Sequence, residues 1–409
     1  MATDYDAIVV GAGALGASTA WHLMASGGRV ALVDRGGIAE ETSRRAAGMG
    51  MQIQADDLLS PIARLGIRKL IGFEAETGQA LEVFQPGSLK VARTESDEVQ
   101  LHDELRRGHE LGVEVDDASP EQARRLAPWF EPGSARAIWY SPHDVYLEPA
   151  DLPRAYVAAL RAGGATVLER HAVLCIGVAG GSITHVETDR GRLGTGTVVL
   201  AAGAWTPRLA APLDVRVPMW PIRHELIITE PTPGVTNRQP AVRIMDAKCY
   251  VRPCHGGLMF GAYEPDPLQL ELREQPERFA VADMPVDAEP LRRRMAEVVG
   301  EFPALADAPW AELRGGLPTM TPDGHFLVGP LDAIEGLWMI GGCNVGGLST
   351  SPALGQHLAR WIAGGERDDD LAPMDPRRFG RRYDDQERLR RACLATYVDK
   401  YSDDEVALR

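Results

Sequence analysis

Apolar and polar positions alternate along this chain in two regimes. Residues 5–10 form a short apolar run, as expected of a strand buried on both faces of a parallel sheet. Residues 17–25 are rich in helix formers and stop at Gly27-Gly28. A second apolar run, 29–33, follows and is closed by Asp34. The order strand, tight turn, helix, strand, acid predicts a parallel α/β unit. Further on, the pattern predicts a helix over 60–78, strands within 81–91, a charged helix over 97–112, a helix over 149–162, and strands over 166–168 and 197–201. Between 216 and 263 the regime changes to successive strands at 225–229, 241–245, 249–252 and 258–263. The turn His255-Gly256-Gly257 joins the last two as a hairpin, and no helix intervenes, so this region predicts an antiparallel sheet. The first regime returns with a strand at 337–340 and a glycine-rich loop at 341–350. There Ser351-Pro352 reads as the cap and first residue of a helix through Trp361. From Glu366 the chain is charged and proline-broken, with a last helix expected at 385–397.

A chain of 409 residues is too long for one compact core and points to two domains, or to one domain inserted in another. The formal net charge of −15 excludes a phosphate backbone as a natural partner. The first six residues carry no basic region and no apolar stretch is long enough to span a bilayer. The five cysteines (Cys175, Cys249, Cys254, Cys343, Cys393) form no metal-ligand spacing. A cytoplasmic location with reduced thiols and no metal is therefore expected. HExxH and GxSxG motifs are absent, which sets aside zinc proteolysis and serine hydrolysis.

Gly11, Gly13 and Gly16 form GxGxxG between the first strand and the first helix. Their roles follow from geometry: a tight turn, backbone approach to a pyrophosphate, and close helix–strand packing. The helix N-terminus offers free N–H groups and a positive dipole end to phosphates. Asp34 stands where an acid binds the ribose hydroxyls of an adenosine half. The motif does not by itself distinguish NAD from FAD. The second glycine-rich loop, Gly341-Gly342-Cys343-Asn344-Val345-Gly346-Gly347-Leu348-Ser349, favours FAD, because a helix N-terminus there could stabilise negative charge on a reduced isoalloxazine.

Five segments together resemble the D-amino-acid-oxidase-like flavoproteins, the group containing sarcosine oxidase, glycine oxidase and dimethylglycine dehydrogenase. They are the opening GxGxxG, Thr42–Gly48, Val199–Trp205, Gly315–Gly324 with its Thr-Met-Thr-Pro-Asp stretch, and the late glycine loop, in the right order over roughly residues 4 to 380. Phe84–Leu89 and Tyr250–Pro253 look most like the dimethylglycine and sarcosine dehydrogenases. The resemblance implies an α/β fold with a Rossmann-like FAD-binding domain of glutathione-reductase type. An α+β substrate domain built on an antiparallel sheet would be interleaved with it. The implied segments are 1–80, 145–217 and 318–365 for FAD, 81–144 and 218–317 for substrate, and 366–409 as a charged tail.

The resemblance also implies residue roles. Gly11, Gly13, Ala14, Leu15, Gly16, Asp34 and Arg35 would hold the ADP half of FAD. Ser43, Arg44, Arg45, Ala47 and Gly48 would meet the pyrophosphate and flavin, and Val173 the adenine. Ala202, Gly203, Trp205 and Gly316 would pass close to the cofactor, and Gly346, Gly347, Leu348 and Ser349 would face the pyrimidine ring. Tyr250 matches a tyrosine of the substrate pocket, and His224, Tyr263 and His325 could tune the amine or shape the pocket, His325 lying in a turn that favours a structural role. Arg45 and Gly316 stand where relatives carry the histidine or cysteine that tethers the flavin, so FAD should be noncovalent. Met259 aligns with a lysine that helps oxygen react. A thioether cannot stabilise developing superoxide as a cation would, which leans toward a dehydrogenase serving an electron carrier rather than oxygen. Pro318 replaces an arginine that grips the substrate carboxylate, leaving Arg45, Arg243, Arg252 and Arg314 as candidates for that task.

The expected reaction is oxidation of a small secondary or tertiary amine, an N-methyl amino acid of the sarcosine or dimethylglycine kind. Hydride would pass to flavin N5 and the imine would hydrolyse to a demethylated amine and an aldehyde. Such an enzyme places the C–H bond, excludes water and keeps the amine neutral. The alternatives are a peroxide-forming oxidase of D-amino or cyclic imino acids, an FAD monooxygenase, or a non-catalytic flavin-binding subunit of an oligomer. The chain lacks the late Gly-Asp-Ala-Ala segment of the monooxygenases.

Overall fold

A computed structural model of the protein describes residues 3–54, 56–331 and 334–399. The opening strand Ala7–Val10 is buried along its whole length. Four apolar residues without a polar face need cover on both sides, and the fold supplies it. Six strands form this sheet, in the order Leu327–Pro330, Leu337–Gly341, Val198–Leu200, Ala7–Val10, Val30–Val33, Thr166–Leu168. All neighbours run parallel except Leu327–Pro330, which pairs antiparallel at one edge. On one face Val9 and Leu32 pack under the helices Ala14–Ala25, Asp151–Ala162 and Gly347–Ile362. On the other face Ile8 and Val33 meet Ile176 and Val186 of a three-stranded antiparallel sheet, Val173–Ala179, Ser182–Thr188 and Gly191–Gly194.

The second sheet has eight strands. Their order is Trp310–Gly316, His224–Thr229, Gly257–Ala262, Cys249–Cys254, Ala241–Ile244, Ser88–Ala92, Ala137–Ser141, Asp116–Asp117. It is antiparallel, as the sequence predicts, except where Ala241–Ile244 runs parallel to Ser88–Ala92. A parallel pair needs a long crossover, and some 150 residues separate these two strands. No described helix is long and apolar enough to cross a membrane.

Three expected elements differ. The helix over 60–78 is two helices, Ser60–Ile71 and Phe73–Thr77, broken at Gly72. Within 81–91 only Ser88–Ala92 is a strand, and Phe84 makes a single bridge to Tyr146. The late helix starts at Gly347, so Pro352 lies inside it. A proline there removes the N–H that would bond the carbonyl of Leu348. Ser351 Oγ donates to that carbonyl instead, at 2.8 Å. The expected C-terminal helix is present as Gln386–Val398, and residues 400–409 lie outside the described ones.

The opening and late helices cross at small residues. A Cβ added to Gly355 would lie 2.3 Å from Ser18 Oγ and 2.9 Å from Ser18 backbone. Overpacking of this kind costs about 1–3 kcal/mol, against ~1 kcal/mol of helix propensity gained over glycine. Gly355→Val, which adds still more bulk, should therefore lower the thermal melting temperature of the protein by several degrees. An unchanged melting temperature would show that the two helices can separate at no cost.

Candidate functional site

Where the parallel strands end, the chain encloses a cavity of about 1930 Å³ whose other wall is the antiparallel sheet. This is roughly twice the upper end of ordinary small-molecule pockets, about 1,000 Å³, and is sized for a dinucleotide with a second molecule.

The opening turn lines one end through Gly11, Gly13, Ala14 and Leu15. Gly11 has φ +111°, and its added Cβ would sit 2.4 Å from the carbonyl oxygen of Ala201. Gly16 does not line the cavity; its Cβ would strike Gly11 O at 1.9 Å, so it serves helix–strand packing. Ser43 Oγ accepts from Ala14 N at 3.0 Å and would meet a Cβ on Gly13 at 2.9 Å. Asp34 lies in the wall, accepting from Ala12 N at 2.6 Å and Gly36 N at 2.7 Å. Burial pushes its carboxyl above the ordinary carboxylate range, and the two N–H groups oppose that rise. Arg35 lies in the wall over the Trp205 ring at 4.0 Å and binds Glu41 and the carbonyl of Phe279.

The loop after Asp34 contributes Ser43, Arg45, Ala47 and Gly48 to the wall. Arg44 is a correction: its side chain is exposed and lies outside the cavity. It sits in the short turn Ser43–Arg45, whose neighbouring side chains diverge. Val173, Ala202, Gly203, Trp205 and Gly316 all line the cavity. At the far end stand Gly346, Gly347, Leu348 and Ser349, the first turn of the late helix. Its cap residue, Gly346, brings no side-chain bond to the exposed N–H groups. The preceding Asn344 and Val345 have φ +44° and +64°, a left-handed conformation costly for a β-branched valine. Asn344 is held by Thr321 N, which donates to its Oδ1 at 2.9 Å, and by its own Nδ2 donating to Gly342 O at 2.7 Å.

The antiparallel sheet supplies the remaining wall: Lys90, His224, Arg243, Tyr250 and Tyr263. His224 Nε2 lies 3.0 Å from the Tyr250 hydroxyl and its Nδ1 lies 2.8 Å from the Tyr397 hydroxyl. Burial depresses the His224 pKa to about 4, so the ring is neutral near pH 7 and donates to one tyrosine while accepting from the other. Tyr263 packs 4.9 Å from the His224 ring and 5.1 Å from the Tyr397 ring. Gly261 makes room for Tyr250, since a Cβ there would lie 2.2 Å from the phenol ring. Tyr397 comes from the C-terminal helix, which sequence reasoning left without a role. The readable signal was the spacing of Leu389, Cys393 and Tyr397, four residues apart and all buried.

Met259 is the second correction. It is fully buried but packs with Leu226, Ile228 and Cys254 and against Ala47, outside the cavity wall. It pairs with Arg252, whereas Gly261 pairs with Tyr250, so Met259 shares the sheet face but lies two residues away, beneath the Ala47 loop. Among the candidate cations, Arg252 donates to the carbonyls of Ala47 and Pro253, and Arg314 pairs with Glu312; neither lines the cavity. Arg45 lines it but donates to the carbonyls of Glu40 and Glu41. His325 also reaches the cavity, 2.5 Å from Asp56 and 3.6 Å from Asp323, which in turn binds Arg378. The two carboxylates overcome its desolvation and raise its pKa to about 9, so it is charged at neutral pH.

These residues fit FAD. Glycines keep the backbone clear at the opening turn, two helix N-termini reach one elongated cavity, and an acid stands at the end of the second strand. A family model described as DAO, FAD dependent oxidoreductase, matches residues 6–361. The chain is 30% identical to human mitochondrial sarcosine dehydrogenase over 97% of its own length and 44% of that protein. It is 28% identical to 4-methylaminobutanoate oxidase (formaldehyde-forming) of Paenarthrobacter nicotinovorans, over 92% of its own length and 46% of the relative. It thus spans about half the length of these curated relatives. Among solved structures, L-proline dehydrogenase from P. horikoshii shares the fold with a TM-score of 0.83 at 21% identity, covering 93% of this chain and 99% of that one. The chain belongs to the DAO family of FAD dependent oxidoreductases.

Proposed function

We propose that this flavoprotein oxidises a small secondary or tertiary amine, an N-methyl amino acid of the sarcosine or dimethylglycine kind. The observation that carries the reading is the hydrogen-bonded Tyr250–His224 pair, which lines the same cavity as the late glycine loop and is backed by the Tyr397 hydroxyl on His224. The activities named for sarcosine dehydrogenase and 4-methylaminobutanoate oxidase, both directed at N-methylated amino acids, support it.

When bound, FAD supplies a two-electron acceptor for the hydride on a carbon next to the amine nitrogen. The protein's own part is positioning and charge control. Gly11, Gly13, Ala14, Leu15, Asp34 and Arg35 would hold the adenosine end, and Gly346, Gly347, Leu348 and Ser349 the pyrimidine edge of the flavin. His224 fixes the Tyr250 hydroxyl, which orients the substrate nitrogen by a hydrogen bond. A buried wall of neutral rings disfavours an ammonium ion and so favours the free amine whose lone pair the reaction needs. Arg45 and Gly316 occupy the two places where a tether would be expected, which supports noncovalent FAD. With Met259 outside the cavity wall, its thioether no longer argues for a carrier protein over oxygen as the electron acceptor.

Under nitrogen, the oxidised flavin absorbance should bleach on adding sarcosine, dimethylglycine or a longer N-methyl amino acid. Failure of all of them to bleach it would overturn the proposal. Air then admitted identifies the acceptor class: reoxidation within seconds marks an oxidase, and slow reoxidation a dehydrogenase. Tyr250→Phe should slow the anaerobic reduction by about 10- to 100-fold through loss of one hydrogen bond to a charged or charging group. Acid precipitation should leave intact FAD in the supernatant; yellow precipitate would show a covalent link.

The depressed His224 pKa also fixes a pH trend. Between pH 6.5 and about 4 the unfolded chain takes up a proton that the folded ring refuses, so stability falls as pH falls through that window. His224→Gln lacks this linkage, and its stability should fall less between pH 6.5 and 4 than that of the parent. Parallel pH curves for the two proteins would refute the assignment of a neutral, buried imidazole.

A further inference from the structure

Arg243 stands apart from every other cation around the cavity. It lies on the central strand Ala241–Ile244, is 7% exposed, and lines the cavity. Its Nε and Nη2 are buried without a hydrogen-bond acceptor. Among the described residues it is the one cavity-lining side chain with buried N–H groups left in that condition. The neighbouring cations are all engaged. Lys90, its partner in register on one side, is paired with the buried Glu104. Arg107 binds Asp57, Arg378 binds Asp323, and His325 binds Asp56. The Trp139 ring lies 5.5 Å from the Arg243 guanidinium carbon. The buried carboxylate of Asp144 is near enough to feel its field, but accepts from Ser88 Oγ and Gln52 N instead.

Its place in the sheet matters as much as its lack of a partner. Arg243 pairs in register with Tyr250, so the two side chains leave the same face as direct cross-strand neighbours, about 5 Å apart at Cβ. Nε and Nη2 form one edge of the guanidinium, the fork that matches the two oxygens of a carboxylate. Buried guanidinium N–H groups without an acceptor are costly, and an arriving carboxylate would relieve that cost.

We infer that Arg243 binds the carboxylate of the substrate while the Tyr250 hydroxyl receives its nitrogen. The inference rests on the amine-oxidation reading above and gives the acid group of that substrate its partner, so that simple alkylamines lose this contact and are poor substrates. It also separates Arg243 from Arg45, which donates to backbone carbonyls, and from Arg252 and Arg314, whose buried and acceptor-free Nη2 and Nη1 lie outside the cavity wall.

The test uses FAD-loaded protein and methoxyacetate, a carboxylate of sarcosine shape without an oxidisable amine. Binding is followed by perturbation of the flavin absorbance, with no turnover. The parent should show saturable binding, and Arg243→Gln should weaken it about 10- to 100-fold. Arg243→Lys, which keeps the charge but not the fork, should fall between them. Neutral 2-methoxyethanol should bind no differently to parent and variants. In anaerobic reduction, Arg243→Gln should raise the substrate concentration for half-maximal rate with an N-methyl amino acid, and leave that for an N-methylalkylamine unchanged. Flavin occupancy and melting temperature report whether each variant is folded, and Arg243→Lys carries the comparison if Arg243→Gln is not. Equal methoxyacetate affinity in the parent and a folded variant, or none in the parent, overturns the role of Arg243 while leaving amine oxidation intact. A parent that no N-methyl amino acid reduces, but that binds methoxyacetate through Arg243, overturns the amine reading instead.

Discussion

The Ser18 hydroxyl donates to the carbonyl of Ser351 at 2.8 Å across 333 residues of sequence. That bond exists because Gly355 presents no side chain at the crossing, and Gly66 repeats the device against the Ser349 carbonyl, where a Cβ would lie 2.2 Å away. Two helices from opposite ends of the chain are thereby held in backbone contact. Their N-termini, at Gly13 and Gly346, consequently open into the same cavity. Each directs a positive dipole end into it, one suited to a pyrophosphate and the other to electron-rich ring oxygen.

Much of this was legible in the sequence, for identifiable reasons. The strand Ala7–Val10 has no polar position because it is covered on both faces, and such a run can be read without knowing its neighbours. Gly11, Gly13 and Gly16 could be read because close backbone approach excludes every other residue. His224, Tyr250 and Tyr263 could be placed together on the second sheet, although their hydrogen bonds could not. What escaped depends on contacts between distant segments. The start of the late helix was misplaced because Pro352 is a normal first-turn residue, and only the Ser351 hydroxyl explains its tolerance farther in. The three-stranded sheet at 173–194 was invisible because its first strand leaves Leu174 and Val178 exposed and breaks the alternation.

Charged residues were the least readable class. Arg45, Arg243, Arg252 and Arg314 are equivalent in a one-dimensional pattern, and what separates them is the acceptor each one meets. Met259 and Arg44 were misplaced for a related reason. Along a strand the facing side repeats every second residue, but a covering loop such as the one at Ala47 ends the accessible part of that face at a point no local pattern marks. Tyr397 was missed because its function lies in one hydrogen bond to His224, made by a helix that otherwise reads as a charged tail.

The whole-chain charge gives Arg243 added meaning. A net charge of −15 repels an anion at long range, though salt confines that repulsion to about 8–10 Å from the surface. An amino acid approaches as a zwitterion with no net charge and escapes the repulsion, whereas a simple carboxylic acid does not. Inside the cavity the balance reverses, because the neutral His224 ring and its tyrosines disfavour the ammonium form while an unpaired guanidinium favours the carboxylate. The molecule that suits both regions is neutral outside and, once the amine has shed its proton, anionic within. Selection for such a substrate does not require long-range steering; it follows from opposite demands placed on one small molecule by the surface and by two neighbouring strands.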